Sequence, residues 1–332
     1  MSHYKLADNL FDDDVRQDPI RAGFGRGLRI AAETNDKIVA LCADLTESTQ
    51  MHLFREAFPE RFIEIGIAEQ NLVTVASGLA RAGKIPFTSS YAAFSPGRNW
   101  EQIRTTAALN NQPVKIIGSH AGVSVGPDGA THQMLEDIAL MRVIPNMVVV
   151  VPGDSLEAEK ATRAIAENGK PSYLRLAREK SPIFSTPESP FEIGKAYVLR
   201  DGQDVSLLGT GLMTYELLKA ANILAEQGIN AEVVHVPTIK PLDDDIILAS
   251  ARRTGRVLTA EEAQVKGGFG GAVAELLSEK LPTPLKRIGM QDRFGESGAP
   301  TELLDYFGLT GERIAEQVKE FIDNTAQYHR EY

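Results

Sequence analysis

Two consecutive, mostly parallel α/β sheets covered by helices are the architecture this sequence predicts. Three observations point there. The chain has 332 residues, enough for two domains at roughly 150 residues each. Hydrophobic residues make up 43% and charged residues 24%, the balance of a globular chain with cores to bury. Short apolar runs rich in β-formers alternate with amphipathic helical stretches along most of the length, as strands joined by crossover helices do.

In the first half, strands are expected at 38–43, 62–67, 85–91, 114–119, 147–151 and 173–176. Helical spacing falls between them at 71–82, 100–110, 135–142 and 156–167. Pro152-Gly153-Asp154-Ser155 reads as a strand-to-helix turn in which Asp154 or Ser155 caps the next helix. Residues 181–190 hold three prolines, three serines and a threonine, a linker composition. The pattern then restarts, with strands at 205–208, 231–236, 256–259 and 286–289. Helices are expected at 215–226, 245–252, 270–279 and 310–324. Residues 1–20 read as an N-terminal arm, 21–186 as the first domain and 187–332 as the second.

Composition removes several function classes. A net charge of −10 argues against a nucleic-acid partner, which needs a basic face. The single cysteine, Cys42, excludes a disulfide framework and a cysteine-based zinc site. No apolar run approaches the ~18 residues of a membrane span. The start is polar and acidic, unlike a secretory signal or a transit peptide. The expectation is a cytoplasmic protein with no membrane or nucleic-acid partner.

Four segments could carry chemistry. In Phe62-Ile63-Glu64-Ile65-Gly66-Ile67-Ala68-Glu69-Gln70-Asn71 an apolar strand passes through Gly66 into a helix, with Glu69 in its first turn. Either the carboxylate simply complements the helix dipole, or apolar neighbours raise its pKa so that it shares a proton with a ligand nitrogen. The run from His120 to Gln133 holds three glycines, a proline, Asp128 and two of the six histidines. It opens at a strand's C-terminal end, where open α/β sheets place ligands, and imidazoles there suit a hydroxylated substrate. Its spacing gives no third nearby zinc ligand, so no metal ligand is assigned. Phe94 and Trp100 in Tyr91–Trp100 are either core or a stacking wall for a flat heteroaromatic ring. Arg178 follows the first half's last strand, where an arginine is either solvated or clamps a phosphate. No G-x-G-x-x-G fingerprint and no P-loop are present, and the Gly267–Gly271 run lacks the lysine of a nucleotide cradle.

Together these segments resemble the C-terminal two-thirds of a transketolase, specifically the second subunit of a split one, from about Arg21 to Ile322. The most specific pieces are Gly66-Ile67-Ala68-Glu69-Gln70, Asp128-Gly129-Ala130-Thr131-His132-Gln133 and Phe294-Gly295-Glu296-Ser297-Gly298, with Glu261-Glu262 ahead of Gly267-Gly268-Phe269-Gly270. The resemblance implies a thiamine diphosphate-binding pyrimidine domain followed by a transketolase C-terminal domain. It gives Glu69 the family's hydrogen bond to N1′ of the aminopyrimidine, and Phe94 the packing on that ring. Trp100 and Asp44 are further residues facing the cofactor. By the same resemblance, His120 and His132 contact the donor sugar's carbonyl and terminal hydroxyl. Asp128 reads a sugar hydroxyl, and Arg178, Arg21 and Ser48 hold the sugar phosphate.

The family's Gly-Asp-Gly…Asn motif, which binds the diphosphate through Mg²⁺, is missing from this sequence. The resemblance therefore implies half a cofactor site. An N-terminal transketolase subunit would complete it in an α₂β₂ assembly, with Mg²⁺ and diphosphate ligands on that partner. The implied reaction is transfer of a two-carbon ketol unit between sugar phosphates. Alternatives are the β subunit of a 2-oxo acid dehydrogenase E1 component, a 1-deoxy-xylulose-5-phosphate synthase-like enzyme, and a non-catalytic thiamine-fold partner.

Overall fold

A computed structural model describes residues 4–12 and 14–331. The larger sheet has seven strands in the spatial order Thr238–Lys240, Val148–Val150, Ser172–Arg175, Lys115–Ser119, Ile85–Tyr91, Ile38–Cys42 and Phe62–Glu64. All neighbouring pairs are parallel except the first, which is antiparallel. The second sheet runs Leu285–Met290, Val257–Gln264, Val205–Gly209, Ala231–His235 and Tyr197–Arg200, with only the last pair antiparallel. Helices cover both sheets. Among the described residues no helix is long and apolar enough to cross a membrane.

Strand alternation builds two cores from one sheet. Ile38, Ala40 and Cys42 turn toward Phe24 and Leu28 of the helix Ile20–Thr34 and Ala161 and Ile165 of the helix Ser155–Glu167. Val39 and Leu41 turn the other way, toward Leu72, Val73 and Ala76 of the helix Glu69–Arg81. A period of two along the strand accounts for both sets.

Several elements differ from the sequence expectation. The helix Ile20–Thr34 was not expected, because Gly23, Gly25 and Gly27 weaken a helix by about 1 kcal/mol each relative to alanine. Gly23 and Gly27 stand there because this helix lies against Ser155–Glu167, and Gly25 because it faces Gln50 and Leu53. A Cβ on Gly23 would fall 1.8 Å from the Ser155 carbonyl oxygen, and one on Gly27 2.6 Å from that of Glu159. The strand expected to reach residue 67 stops at Glu64. The helix expected over 100–110 is one α-turn, Trp100–Gln102, followed by a π-helical stretch, Ile103–Ala108.

The Pro-rich 181–190 segment is not a free tether. Lys180–Pro182 pairs with Gln17–Pro19, Phe184 is fully buried, and Asp154 accepts the Phe184 and Ser185 amides. The N-terminal arm likewise lies on the protein, with Leu10 buried in the second core. Thr238–Lys240 leaves the second half to pair with Val148–Val150 of the first sheet, so the two halves share a sheet edge.

Candidate functional site

Most of the expected residues (Glu69, Phe94, His120, His132, Asp128, Arg21 and Arg178) gather where the parallel strands end and their loops begin. Glu69 opens the helix Glu69–Arg81 and is 1% exposed. Its carboxylate does not sit in apolar surroundings. Arg98 Nη1 donates to Oε2 at 2.6 Å and Ser90 Oγ to Oε1 at 3.2 Å, while Asn99 Nδ2 donates to the Glu69 carbonyl at 2.8 Å. Ile67, expected among its apolar neighbours, is 74% exposed. The reason is the turn after Glu64, whose carboxylate accepts the Asp44 and Gly66 amides and ends the strand before Ile67. Glu69 thus faces an open depression lined by Ile67, Ala68, Gln70, Asn71, Arg98 and Gln102.

Phe94 links this carboxylate to the histidine loop. The Arg98 guanidinium lies 4.8 Å from its ring centroid, and His132 meets it edge-on at 5.5 Å. Tyr91, at the end of the strand Ile85–Tyr91, stacks on His120 with centroids 3.8 Å apart. His120 is almost fully buried, its Nδ1 2.9 Å from Ser119 Oγ. Burial first, then the charges of Arg21 and Arg178, push its imidazolium down to about 3. The ring is therefore neutral near pH 7, able to accept at one nitrogen and donate at the other.

Beyond His120 lies a pair of arginines. Arg21 Nε donates to the Arg178 carbonyl at 3.0 Å, and its Nη1 donates to the Ser48 carbonyl. Burial, then the neighbouring Arg178, lower the Arg21 pKa. Arg178 Nη1 donates to the Val125 carbonyl at 2.9 Å and lies 3.8 Å from Asp128 and 3.3 Å, through Nε, from Glu179. Both guanidinium charges act on His120, and the Asp128 and Glu179 carboxylates flank Arg178.

Two expected residues stand apart. Trp100 packs against the core, and its indole N–H donates to the Leu140 carbonyl at 2.8 Å. Among the described residues its ring pairs with no other aromatic ring, Phe94 included. Asp44 is exposed and engages Glu64 through its backbone. Ser48 joins through its carbonyl, not its hydroxyl. Sequence reasoning missed Tyr91, Ser90, Arg98 and Glu64. The four-residue spacing of Phe94 and Arg98 was a usable signal for one of them.

A buried carboxylate and an aromatic face fit the pyrimidine half of thiamine diphosphate, and the neutral His120 ring can donate to or accept from a hydroxyl. Among the described residues no three His, Cys, Asp or Glu side chains are grouped to hold a metal ion, and Mg²⁺ with a diphosphate calls for hard oxygen ligands.

Comparison with known proteins gives the following. The transketolase pyrimidine-binding domain family matches residues 18–182, and the transketolase C-terminal domain family matches 194–314. The transketolase C-terminal section of Methanocaldococcus jannaschii is 47% identical over 304 residues, covering 91% of this chain and 95% of that one. The 6-deoxy-6-sulfo-D-fructose transketolase subunit of Clostridium sp. strain MSTE9 is 44% identical, covering 87% and 90%. A split-gene transketolase solved as an inactive β4 tetramer superposes with a TM-score of 0.86 at 44% identity, covering 92% of this chain and 98% of that one.

Proposed function

Because this chain belongs to the transketolase family, whose members use thiamine diphosphate, we propose that it is the C-terminal subunit of a two-chain transketolase. It transfers a two-carbon ketol unit between sugars that carry an anionic terminus, sugar phosphates first among them. In this reading residues 1–20 are an arm, 21–186 the pyrimidine-binding domain and 187–332 the C-terminal domain. The observation that carries it is one continuous rim, running from Glu69 through Phe94 and His120 to the Arg21–Arg178 pair.

Thiamine diphosphate, when bound, supplies the electron sink for cleaving a ketose beside its carbonyl. The chain's own residues do the rest. Glu69 would share a proton with N1′ of the aminopyrimidine, with Arg98 and Ser90 holding its carboxylate in place. Phe94 packs on that ring. His120 and His132 donate to and accept from sugar oxygens, Asp128 reads a hydroxyl, and Arg178 and Arg21 hold the terminal anion. Mg²⁺ and the diphosphate fall to a second polypeptide carrying the Gly-Asp-Gly motif, in an α₂β₂ assembly. That a related split-gene transketolase is described as inactive when built of β chains alone supports this division. The lone cysteine, Cys42, is buried and unpaired, in keeping with work in the reducing cytoplasm.

The terminal anion can be a phosphate or, as the name of the Clostridium relative indicates for that protein, a sulfonate. The test is co-expression with the diphosphate-binding chain, then a ketol-transfer assay on fructose 6-phosphate and 6-deoxy-6-sulfofructose. Turnover of either supports the reading. No transfer from any ketose by a complex that binds the cofactor would overturn it.

A further inference from the structure

The loop that carries His120, Asp128 and His132 belongs to the first half, yet the second half holds it. Its backbone turns through Gly122 at φ +90°, and a Cβ there would fall 2.2 Å from the carboxyl carbon of Glu262. Glu262 lies on the strand Val257–Gln264 of the second sheet and is 3% exposed. Its Oε2 accepts the Ser124 amide at 3.0 Å, and its Oε1 lies 3.5 Å from Arg175 Nη1. Arg175 also donates to the Glu262 carbonyl at 3.2 Å and, through Nε, to Asp137 Oδ2 at 2.9 Å. Tyr173 donates to the same Asp137 oxygen at 2.7 Å.

The loop's far end is moulded in the same way. Gln133 Nε2 donates to the Val123 carbonyl at 3.1 Å and to the Glu296 carbonyl at 2.9 Å. A Cβ on Gly129 would meet Ser297 Oγ at 2.4 Å.

We propose that Glu262 is a positioning residue for the sugar-binding loop, fixing the Gly122–Gly126 backbone so that His120 and Asp128 stand where a donor sugar meets them. The chemistry fits that task. A buried carboxylate left without partners is costly, so Glu262 is stable only where both the Ser124 amide and Arg175 reach it. Those two partners sit on either side of the loop's return, one inside it and one three residues before Arg178. Once Glu262 docks, the loop has little freedom to choose another course. The substrate role assigned to the loop rests on the transketolase reading; the mechanical claim does not.

The test therefore has two arms. Amide hydrogen exchange is followed in wild type, Glu262→Ala and Glu262→Gln. Glu232→Gln serves as a control, since Glu232 is an equally buried carboxylate of the second half, paired with Arg253 at 2.6 Å. Loss of a charge-assisted hydrogen bond should speed exchange over residues 122–126 by about tenfold or more in Glu262→Ala, with less change in Glu262→Gln, which keeps an acceptor for Ser124. The strand Lys115–Ser119 should be unaffected, and Glu232→Gln should leave the loop protected. If Glu262→Ala does not fold, loop exchange in Glu262→Gln compared with Glu232→Gln decides the matter. In the reconstituted complex Glu262→Ala should lower kcat/KM for the ketose by about tenfold. Loop exchange raised no more by Glu262 substitution than by Glu232→Gln would overturn the proposal. Absence of ketol transfer in wild type would instead overturn the transketolase reading, leaving the exchange result standing.

Discussion

Replacing Arg178 with alanine should cost selectivity for anionic sugars more than it costs catalysis as such. Its guanidinium is 30% exposed and lies 3.8 Å from Asp128 and 3.3 Å from Glu179. A charge-assisted hydrogen bond to an anion contributes on the order of 1.5–3 kcal/mol. Arg178 gives up part of its pairing with Glu179 when a phosphate arrives, so the lower end applies, roughly tenfold in KM at about 1.4 kcal/mol per decade. A second effect falls on every substrate alike. Arg178 Nη1 also donates to the Val125 carbonyl, and losing that bond loosens the loop whatever the acceptor. The two effects separate in a ratio. The measurement is kcat/KM for a phosphorylated acceptor and for glycolaldehyde, in wild type and Arg178→Ala, in the reconstituted complex. The preference for the phosphorylated acceptor should fall about tenfold, and Arg178→Lys should restore part of it, since lysine offers a charge without the planar fork. Equal losses on both acceptors would refute the anion-binding role and leave Arg178 as a support for the loop.

Four further outcomes are expected. The isolated chain should bind thiamine diphosphate weakly even with Mg²⁺ in calorimetry; tight metal-dependent binding by this chain alone would contradict the two-chain reading. Glu69→Gln should lower kcat of the complex by about 10²–10⁴-fold with the circular dichroism spectrum unchanged, and activity within twofold of wild type would assign Glu69 to the helix start alone. Trp100→Phe should cost about 1 kcal/mol in urea unfolding, from the lost bond to the Leu140 carbonyl, and leave turnover intact; a large loss of turnover in a stable variant would return Trp100 to the ligand. Burial pushes the Glu261 carboxyl up from 4.5 to about 7, against the amides of Phe269 and Gly270 that favour its charged form. The folded chain then holds a proton that the unfolded chain releases between those values, so this group's contribution is present at low pH and lost as pH rises through about 7. Glu261→Gln should thus gain on wild type between pH 4.5 and 7, by at most about 3 kcal/mol, when urea unfolding is compared across that range; a pH-independent difference would rule out Glu261 as the titrating group.

Much of this was legible in the sequence, and the exceptions share a cause. Strands buried on both faces read as plain apolar runs, so Ile38–Cys42 and Val148–Val150 were visible without tertiary context. His120 and Arg178 were visible as loop residues at strand ends. What stayed hidden depended on a distant partner. The Gly-rich helix Ile20–Thr34 is weak by local propensity and is held by Ser155–Glu167, more than a hundred residues away. The surroundings of Glu69 were misread because Arg98, 29 residues on, supplies the charge that its sequence neighbours lack. Trp100 looked like a stacking residue until Leu140, 40 residues later, was seen to take its indole N–H.

Glu69 and Ile67 lie two residues apart and meet opposite fates. The carboxylate is 1% exposed and the isoleucine 74%. Left alone, each element would favour the reverse, because fully burying an isoleucine side chain is worth about 1.5–3 kcal/mol while burying a carboxylate costs energy unless it is paired. The turn at Glu64 enforces the inversion by tying Asp44 and Gly66 to one carboxylate, and Arg98 and Ser90 make it tolerable for Glu69. An exposed isoleucine at the mouth of a charged depression gains from any surface that covers it, and such a surface would also shut water out around Glu69. The lower dielectric then strengthens whatever hydrogen bond the carboxylate makes to a ligand nitrogen.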